Sequence, residues 1–470
     1  MGTLSQEKDH MDFAQELDLV VKPESTLPGL NKEVGSLLGQ GIPLFSIGGG
    51  YFRAALSQVL INFHARRGYY IAETPLISGG DLFEVSGHMG YYRQNMYVFR
   101  LEDREYAIKP MNCPFHVLIF LSELGRHRNK VKLPFKIFEV GRVHRLEPSG
   151  SVYGLLRARA FTQDDAHIIT PEKDALQVIS SVFDDMMTIY SKVFNIDLTP
   201  DTIKLRLSLS DKGKIGTDFM GTRDEWESAE EFLRSAAEGI AKRYGFEYQA
   251  AEGEAAFYGP KIDVIVRLGS GLAAKDWQLG TIQFDFNLPR RFKVYDVVRE
   301  LYGDINVFMI HRALLGSIER FLGAYLENYR GRLPFALAPL QFAVLGIRAG
   351  EELDQKVAEF ARALHAGLIS RGFRSGYMET TRTSLSGDVR LLETGPKPAV
   401  IVYIGAREIE RSAVTVAVYD KGSRRQASLQ AKGVEEALSA LETLAEGLEK
   451  PIADIAGLAP RIPGDLSYEL

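Results

Sequence analysis

The stretch Leu146–His167, LEPSGSVYGLLRARAFTQDDAH, carries more of the fold than any other. It centres on a Gly/Ser turn, with Arg145 and Glu147 ahead of it and Arg157 and Arg159 behind it. From Ala160 to Ile169 the side chains alternate in the manner of a strand whose every second residue faces a site. A hairpin of this make-up can aim guanidinium groups at a phosphate. Standing alone it would be a solvated hairpin with surface ion pairs, each worth little. Its surroundings change that reading.

Working outward, the chain has 470 residues, 45% hydrophobic and 25% charged, which is ordinary globular material for two or three domains. The formal charge of −5 means that a nucleic-acid partner must be met by local basic patches and not by a net field. Cys113 is the only cysteine, which excludes a disulfide framework and a Cys-rich zinc finger and agrees with a reducing cytoplasm. Lys8, Asp9 and Asp12 precede any apolar run, unlike a signal peptide, and no stretch reaches membrane-spanning length. A cytoplasmic protein without a membrane partner is expected.

Periodicity predicts helices near residues 8–20 and Tyr51–Arg67, followed by strands at Tyr69–Thr74, Tyr97–Arg100, Lys136–Val143, Phe161–Ile169, Ile262–Val266 and Gly280–Phe286. A helix over Leu314–Tyr329 completes this part. Strands arriving singly between loops and helices indicate an α+β layout, one antiparallel sheet with helices packed on it. The two-proline segment Leu333–Pro339 marks a linker, giving boundaries at 1–335, 336–340 and 341–470. Beyond it, strands at Phe342–Gly346, Ala399–Ile404 and Val414–Tyr419 alternate with helices at Glu352–Arg371 and Val434–Leu448. That alternation fits a small α/β domain with both sheet faces covered.

These residues resemble a class II aminoacyl-tRNA synthetase, of the threonyl-tRNA synthetase family, across essentially the whole chain. The resemblance rests on KDHMDFAQELDL (Lys8–Leu19) as the catalytic-domain entry and on MNCP (Met111–Pro114) as the zinc-cysteine segment. It rests further on Gly141–His167 as the second class motif, and on Trp277–Phe286 with His311–Arg320 as the closing strand and third motif. Phe115 stands where the family usually has Gly, and Leu279 where it often has Cys.

The spacing of Cys113, His167 and His311 says nothing about metal, and most of the nine histidines should be structural or solvated. The resemblance assigns these three as ligands of one zinc per chain, with a fourth position open as in catalytic sites. It implies that threonine chelates the metal through its amino and hydroxyl groups, with Asp165 and Tyr258 nearby, and that Met111, Gln163 and Lys261 also hold the amino acid. For ATP and its magnesium it implies Arg145 over the α-phosphate and Glu147 on the adenine amine. Phe161 would stack on the ring, Arg320 would take the γ-phosphate, Arg157 would assist, and Gln278 and Gln283 would line the site. His88 occupies the position that can serve as base when the tRNA hydroxyl attacks; a capping or hydrogen-bonded histidine is the plain alternative.

The resemblance makes the C-terminal domain an anticodon binder in which Glu408 reads a base edge. Gly346 and Tyr419 replace the family's asparagine and arginine, and Tyr419 can stack on a base instead. The Tyr51–Pro75 region resembles the first class motif, implying a homodimer. Few residues precede the catalytic entry, so the family's amino-terminal editing region is not expected, and a separate editing protein would correct seryl errors. The expected activity is therefore threonine activation and transfer to threonine tRNA. The alternative is a synthetase-like paralogue with a regulatory or non-tRNA carrier role, against which the retained Arg145, Arg320 and zinc set argue.

Overall fold

The hairpin lies inside an eight-stranded sheet. In a computed structural model, residues 8–27, 29–268, 274–348, 351–380, 385–420 and 423–467 are described. The sheet order is Glu247–Glu252, Ile203–Leu209, Lys261–Leu268, Lys275–Asp285, Val307–Ser317, Ala160–Pro171, Phe135–His144 and Tyr70–Ile71. Every neighbouring pair is antiparallel except the outermost pair at each edge. The period of two decides what each face does. On Ala160–Pro171, Ala166 and Ile168 join Phe63, Phe138, Phe183, Ile310 and Phe321 in the main core, beneath helices Ile47–Arg66, Glu172–Thr188 and Ile318–Asn328. Gln163, Asp165 and His167 turn to the opposite face, where the cleft lies.

Four expected boundaries move, two of them for reasons visible in the packing. The helix expected from Leu314 is a strand as far as Ser317, and the helix is Ile318–Asn328. The buried Asp164 carboxylate accepts the N–H groups of Leu314 at 2.8 Å and Leu315 at 2.9 Å, which holds them extended. Gly316, at φ +72°, then breaks the strand; a Cβ there would meet the Leu279 carbonyl oxygen at 2.4 Å. Ser317 caps the helix by accepting from Arg320 N–H at 3.2 Å. The helix expected from Tyr51 begins at Ile47, because Gly49 is tolerated for packing: a Cβ on it would lie 2.0 Å from the Leu19 carbonyl oxygen. The strand expected at Tyr69–Thr74 shrinks to Tyr70–Ile71 at the sheet edge, and the N-terminal helix to His10–Glu16.

After the linker, a six-stranded sheet runs Ser423–Gln430, Ala413–Asp420, Val400–Ile404, Phe342–Gly346, Arg374–Glu379, Gly464–Asp465. Val400–Ile404, Phe342–Gly346 and Arg374–Glu379 run parallel, the first two wholly buried, while Ala413–Asp420 is antiparallel to both its neighbours. Helices Glu351–Ser370 and Val434–Ala456 cover one face, and Leu385–Thr394 covers the other. The linker itself is a packed joint. Leu333 and residues 335–338 are buried, and the buried Arg374 guanidinium donates to the carbonyls of Ala336 and Ala338 at 2.9 Å each. Helix Val434–Ala456 also packs on Ile47–Arg66, so the two sheets share one apolar core.

Candidate active site

The register of two strands builds the deepest part of the cleft. His167 and His311 are cross-strand partners on Ala160–Pro171 and Val307–Ser317. Cys113 opens helix Cys113–His127 above them, and one ligand atom from each of the three lies within 4.8 Å of the others. All three are buried. His167 Nε2 faces His311 Nδ1 at 3.0 Å. His311 Nε2 is 2.8 Å from Asp285 Oδ2, while Asp285 Oδ1 accepts the N–H groups of Asn287 and Leu288. An ionised carboxylate only accepts, so His311 carries its proton on Nε2 and turns a lone pair inward from Nδ1.

Burial, then the neighbouring His311 and His116, pushes the His167 pKa well below the usual value, so this imidazole is neutral. Burial and the Asp165 and Asp285 carboxylates push the Cys113 thiol well up, a state that a bound cation would reverse. One sulfur and two oriented imidazoles are a donor set that suits zinc.

Around this cluster, Asn112 Nδ2 donates to Asp165 at 2.9 Å. The Tyr258 ring stacks on His311 with centroids 4.9 Å apart, and its hydroxyl donates to Gln283 Oε1 at 2.7 Å. Lys261 pairs at 2.8 Å with the fully buried Asp263, which also takes Arg206, Ser208 and Thr281. Arg206 reaches on to Gln278.

Toward the other end, the Arg145 guanidinium sits 5.1 Å from the Phe161 ring centroid and 5.9 Å from that of Tyr92. Arg157 donates twice to Glu147 Oε2, at 3.0 and 2.8 Å. Burial and the adjacent Arg157 charge lower the Arg320 pKa from the ordinary arginine value. Glu319 ties the base of the Arg320 helix to the Phe161 strand. It accepts from Thr162 N–H at 2.7 Å and from Arg53 at 2.8 Å, and Arg53 also donates to Thr162 Oγ1 at 2.6 Å. The cleft is about 980 Å³, and every residue expected to act in the first 335 lines it except His88.

His88 lies off the cleft lining. It is fully buried between Ser86 Oγ at 2.8 Å and Met111 Sδ at 3.2 Å, with Cys113 Sγ at 3.9 Å. Burial first, then the charges of His311 and Arg145, holds its pKa at about 3. Its ring packs against Met111 and Cys113 in the wall beside the cleft.

Residues 97–329 match the tRNA synthetase class II core domain (G, H, P, S and T). The chain is 52% identical, over 99% of both sequences, to the threonine–tRNA ligase catalytic subunit of Aeropyrum pernix. It belongs to the threonine–tRNA ligases. It is also 38% identical to the threonine–tRNA ligase of Aquifex aeolicus over 82% of this chain, spanning 56% of that longer relative. The crystal structure of a threonyl-tRNA synthetase from A. pernix superposes with a TM-score of 0.94, covering 98% of this chain and 100% of that one.

Two features bear on how this threonine–tRNA ligase is read. Several site residues escaped the sequence reading: Asp285, Arg53, Glu319 as an anchor, and the group His116, Glu139 and Lys109 behind His167. A signal for one existed, since Cys113-Pro-Phe-His116 places a second metal-type side chain one helical turn from the cysteine. In the C-terminal domain, Glu408 closes a helix cap, accepting from Gly405 N–H at 3.1 Å and Thr415 Oγ1 at 2.8 Å. It lines a cavity of about 230 Å³ with Arg407 and Arg411. Tyr419 is less free than a stacking platform requires: its hydroxyl bonds Glu393 and Arg332 lies 4.2 Å over its ring.

Proposed function

We propose that the chain activates threonine with ATP and transfers the product to threonine tRNA, with Cys113, His167 and His311 holding one zinc ion. A threonine carboxylate oxygen attacks the α-phosphorus, the bond to the bridging oxygen breaks and diphosphate leaves with magnesium. The terminal tRNA hydroxyl then attacks the adenylate carbonyl and AMP departs. Arg145 stabilises the charge that grows at the α-phosphorus, Arg320 and Arg157 hold the outer phosphates, Phe161 stacks on adenine, and Glu147 exchanges Arg157 for the adenine amine. Zinc bound there supplies a Lewis acid with an open position for amino and hydroxyl groups. Asp165 and Tyr258 orient those groups, with Met111, Gln163 and Lys261 around the amino acid and Gln278 and Gln283 toward the ribose.

The observation that carries this reading is the buried thiol–imidazole–imidazole cluster beside Asp165, at the closed end of a cleft whose other end is cationic. Amino-acid-dependent pyrophosphate exchange across the twenty amino acids tests it, followed by charging of threonine tRNA. Threonine-dependent exchange and charging are expected; exchange confined to proline, or none at all, would overturn it.

The same reading places the second domain on the tRNA anticodon through Glu408. Ile47, Tyr70, Ile71 and Ile77, each at least 45% exposed along helix Ile47–Arg66 and the adjacent edge strands, are the surface of a homodimer. Among the described residues no helix is long and apolar enough to cross a membrane, which fits cytoplasmic work. Serine offers the same hydroxyl and lacks one methyl, worth about 1–3 kcal/mol. A separate editing protein is therefore part of the proposal, and the name catalytic subunit carried by the Aeropyrum relative supports it.

A further inference from the structure

We propose that Lys109, Glu139 and His116 form a buried relay that fixes the metal-binding tautomer of His167, and that His116 and Glu139 are positioning residues for the metal. This rests on the zinc reading of the cluster. His116 Nε2 lies 3.2 Å from Glu139 Oε2, and His116 Nδ1 lies 2.7 Å from His167 Nδ1. Glu139 is 4% exposed and is met at 3.0 Å by the buried Lys109 ammonium; Thr74 donates to it through N–H at 3.2 Å and hydroxyl at 2.8 Å. Burial alone would raise its pKa, but the contacts from His116, Lys109 and Thr74 outweigh that and hold it at about 2, so it is a carboxylate.

Protons can then be assigned from one end of the chain to the other. A carboxylate only accepts, so His116 donates to Glu139 from Nε2, and Nδ1 is the atom it turns to His167. In the relay, the 2.7 Å contact is the hydrogen bond that His167 donates from Nδ1. The His167 lone pair is therefore on Nε2. Asp285 fixes His311 in the opposite sense, with the lone pair on Nδ1. Two lone pairs thus face each other at 3.0 Å between buried side chains, with Cys113 within 4.8 Å. Such an arrangement is repulsive in itself and becomes favourable when a cation lies against both nitrogens. The relay holds His167 in the form that accepts the metal before the metal arrives.

The test measures zinc affinity of the full chain by chelator competition, and the visible absorption of the cobalt(II)-substituted protein. His116→Leu removes the acceptor, and its zinc affinity should fall by roughly 10–100-fold, with altered cobalt bands. His116→Asn places an amide oxygen near the Nδ1 position and should recover most of the loss, which a merely space-filling role would not predict. Glu139→Gln should weaken zinc in the same direction and reads the relay if His116→Leu fails to fold. Folded His116→Leu and Glu139→Gln proteins with wild-type affinity and spectrum would overturn the relay. So would total loss of zinc in both His116 variants, which would make His116 a ligand. Absence of zinc from the wild-type protein would instead overturn the metal reading beneath it.

Discussion

At one end of the cleft the His167 and His311 side chains are 2% and 5% exposed, and each has its outward nitrogen engaged by an acceptor chain. At the other end Arg157 is 56% exposed and spends its guanidinium on Glu147, which the proposed reading frees for the adenine amine. The first end is set by strand register and buried hydrogen bonds, the second by a turn whose charges satisfy one another. Discriminating small amino acids needs fixed polar geometry, since a misplaced donor loses the penalty that rejects the wrong substrate. Holding a large flexible nucleotide needs charges that can be redirected, and an exposed pair worth under about 1 kcal/mol is cheap to exchange. Rigidity therefore belongs to specificity here, and adaptability to the nucleotide.

The largest effect expected from this contrast is on substrate choice. Valine, which cannot offer a hydroxyl to the rigid end, should fall behind threonine by about 10⁴ or more in pyrophosphate exchange, and serine by only 10–200-fold. Comparable use of valine and serine would break the contrast. Next, Arg145→Ala and Arg320→Ala should each cut threonine-dependent exchange by at least about 10²-fold while leaving zinc content at the wild-type level. Metal loss in either variant would mean the two ends are not separately built.

A smaller effect should appear in acid stability. Glu139 has a folded pKa of about 2 against an ordinary 4.5. Its stabilising contribution is therefore complete above about pH 4.5 and is lost as pH falls toward 2. Glu139→Gln should flatten that part of the stability–pH curve, measured by denaturant unfolding; an unchanged slope would remove Glu139 from the buried network. The smallest effect belongs to the exposed end, where Arg157→Ala should change folding stability by less than about 1 kcal/mol. A larger loss by the same measurement would show that the turn is as fixed as the metal end.

The contrast also explains what could be read from the sequence. The cleft lining was legible because its side chains sit in local motifs: Arg145, Phe161, Asp165, His167, His311 and Arg320 all face the cleft. The supporting residues were not, because hydrogen bonds such as Glu139 to His116 or Arg53 to Glu319 join positions 23 and 266 apart and leave no local pattern. His88 shows a different limit: its place in the motif suggested chemistry, while its burial against Met111 left no mark in the sequence. In the fold, period-two strands and the apolar strand Val400–Ile404 were read correctly. The boundary at Leu314 was not, since a buried carboxylate on another strand, Asp164, holds two leucines extended that would otherwise suit a helix. The linker was located by its prolines, but its rigidity comes from Arg374, a side chain far along the chain.

The central claim is that Cys113, His167 and His311 hold a zinc ion through which threonine is recognised. Metal analysis of the purified full chain and of Cys113→Ala, paired with threonine-dependent pyrophosphate exchange on the same samples, tests it most directly. The expected result is one zinc per chain in the wild type, with both zinc and exchange lost in the variant. A wild-type enzyme that activates threonine without stoichiometric zinc, or a Cys113→Ala protein that keeps both metal and activity, would contradict it.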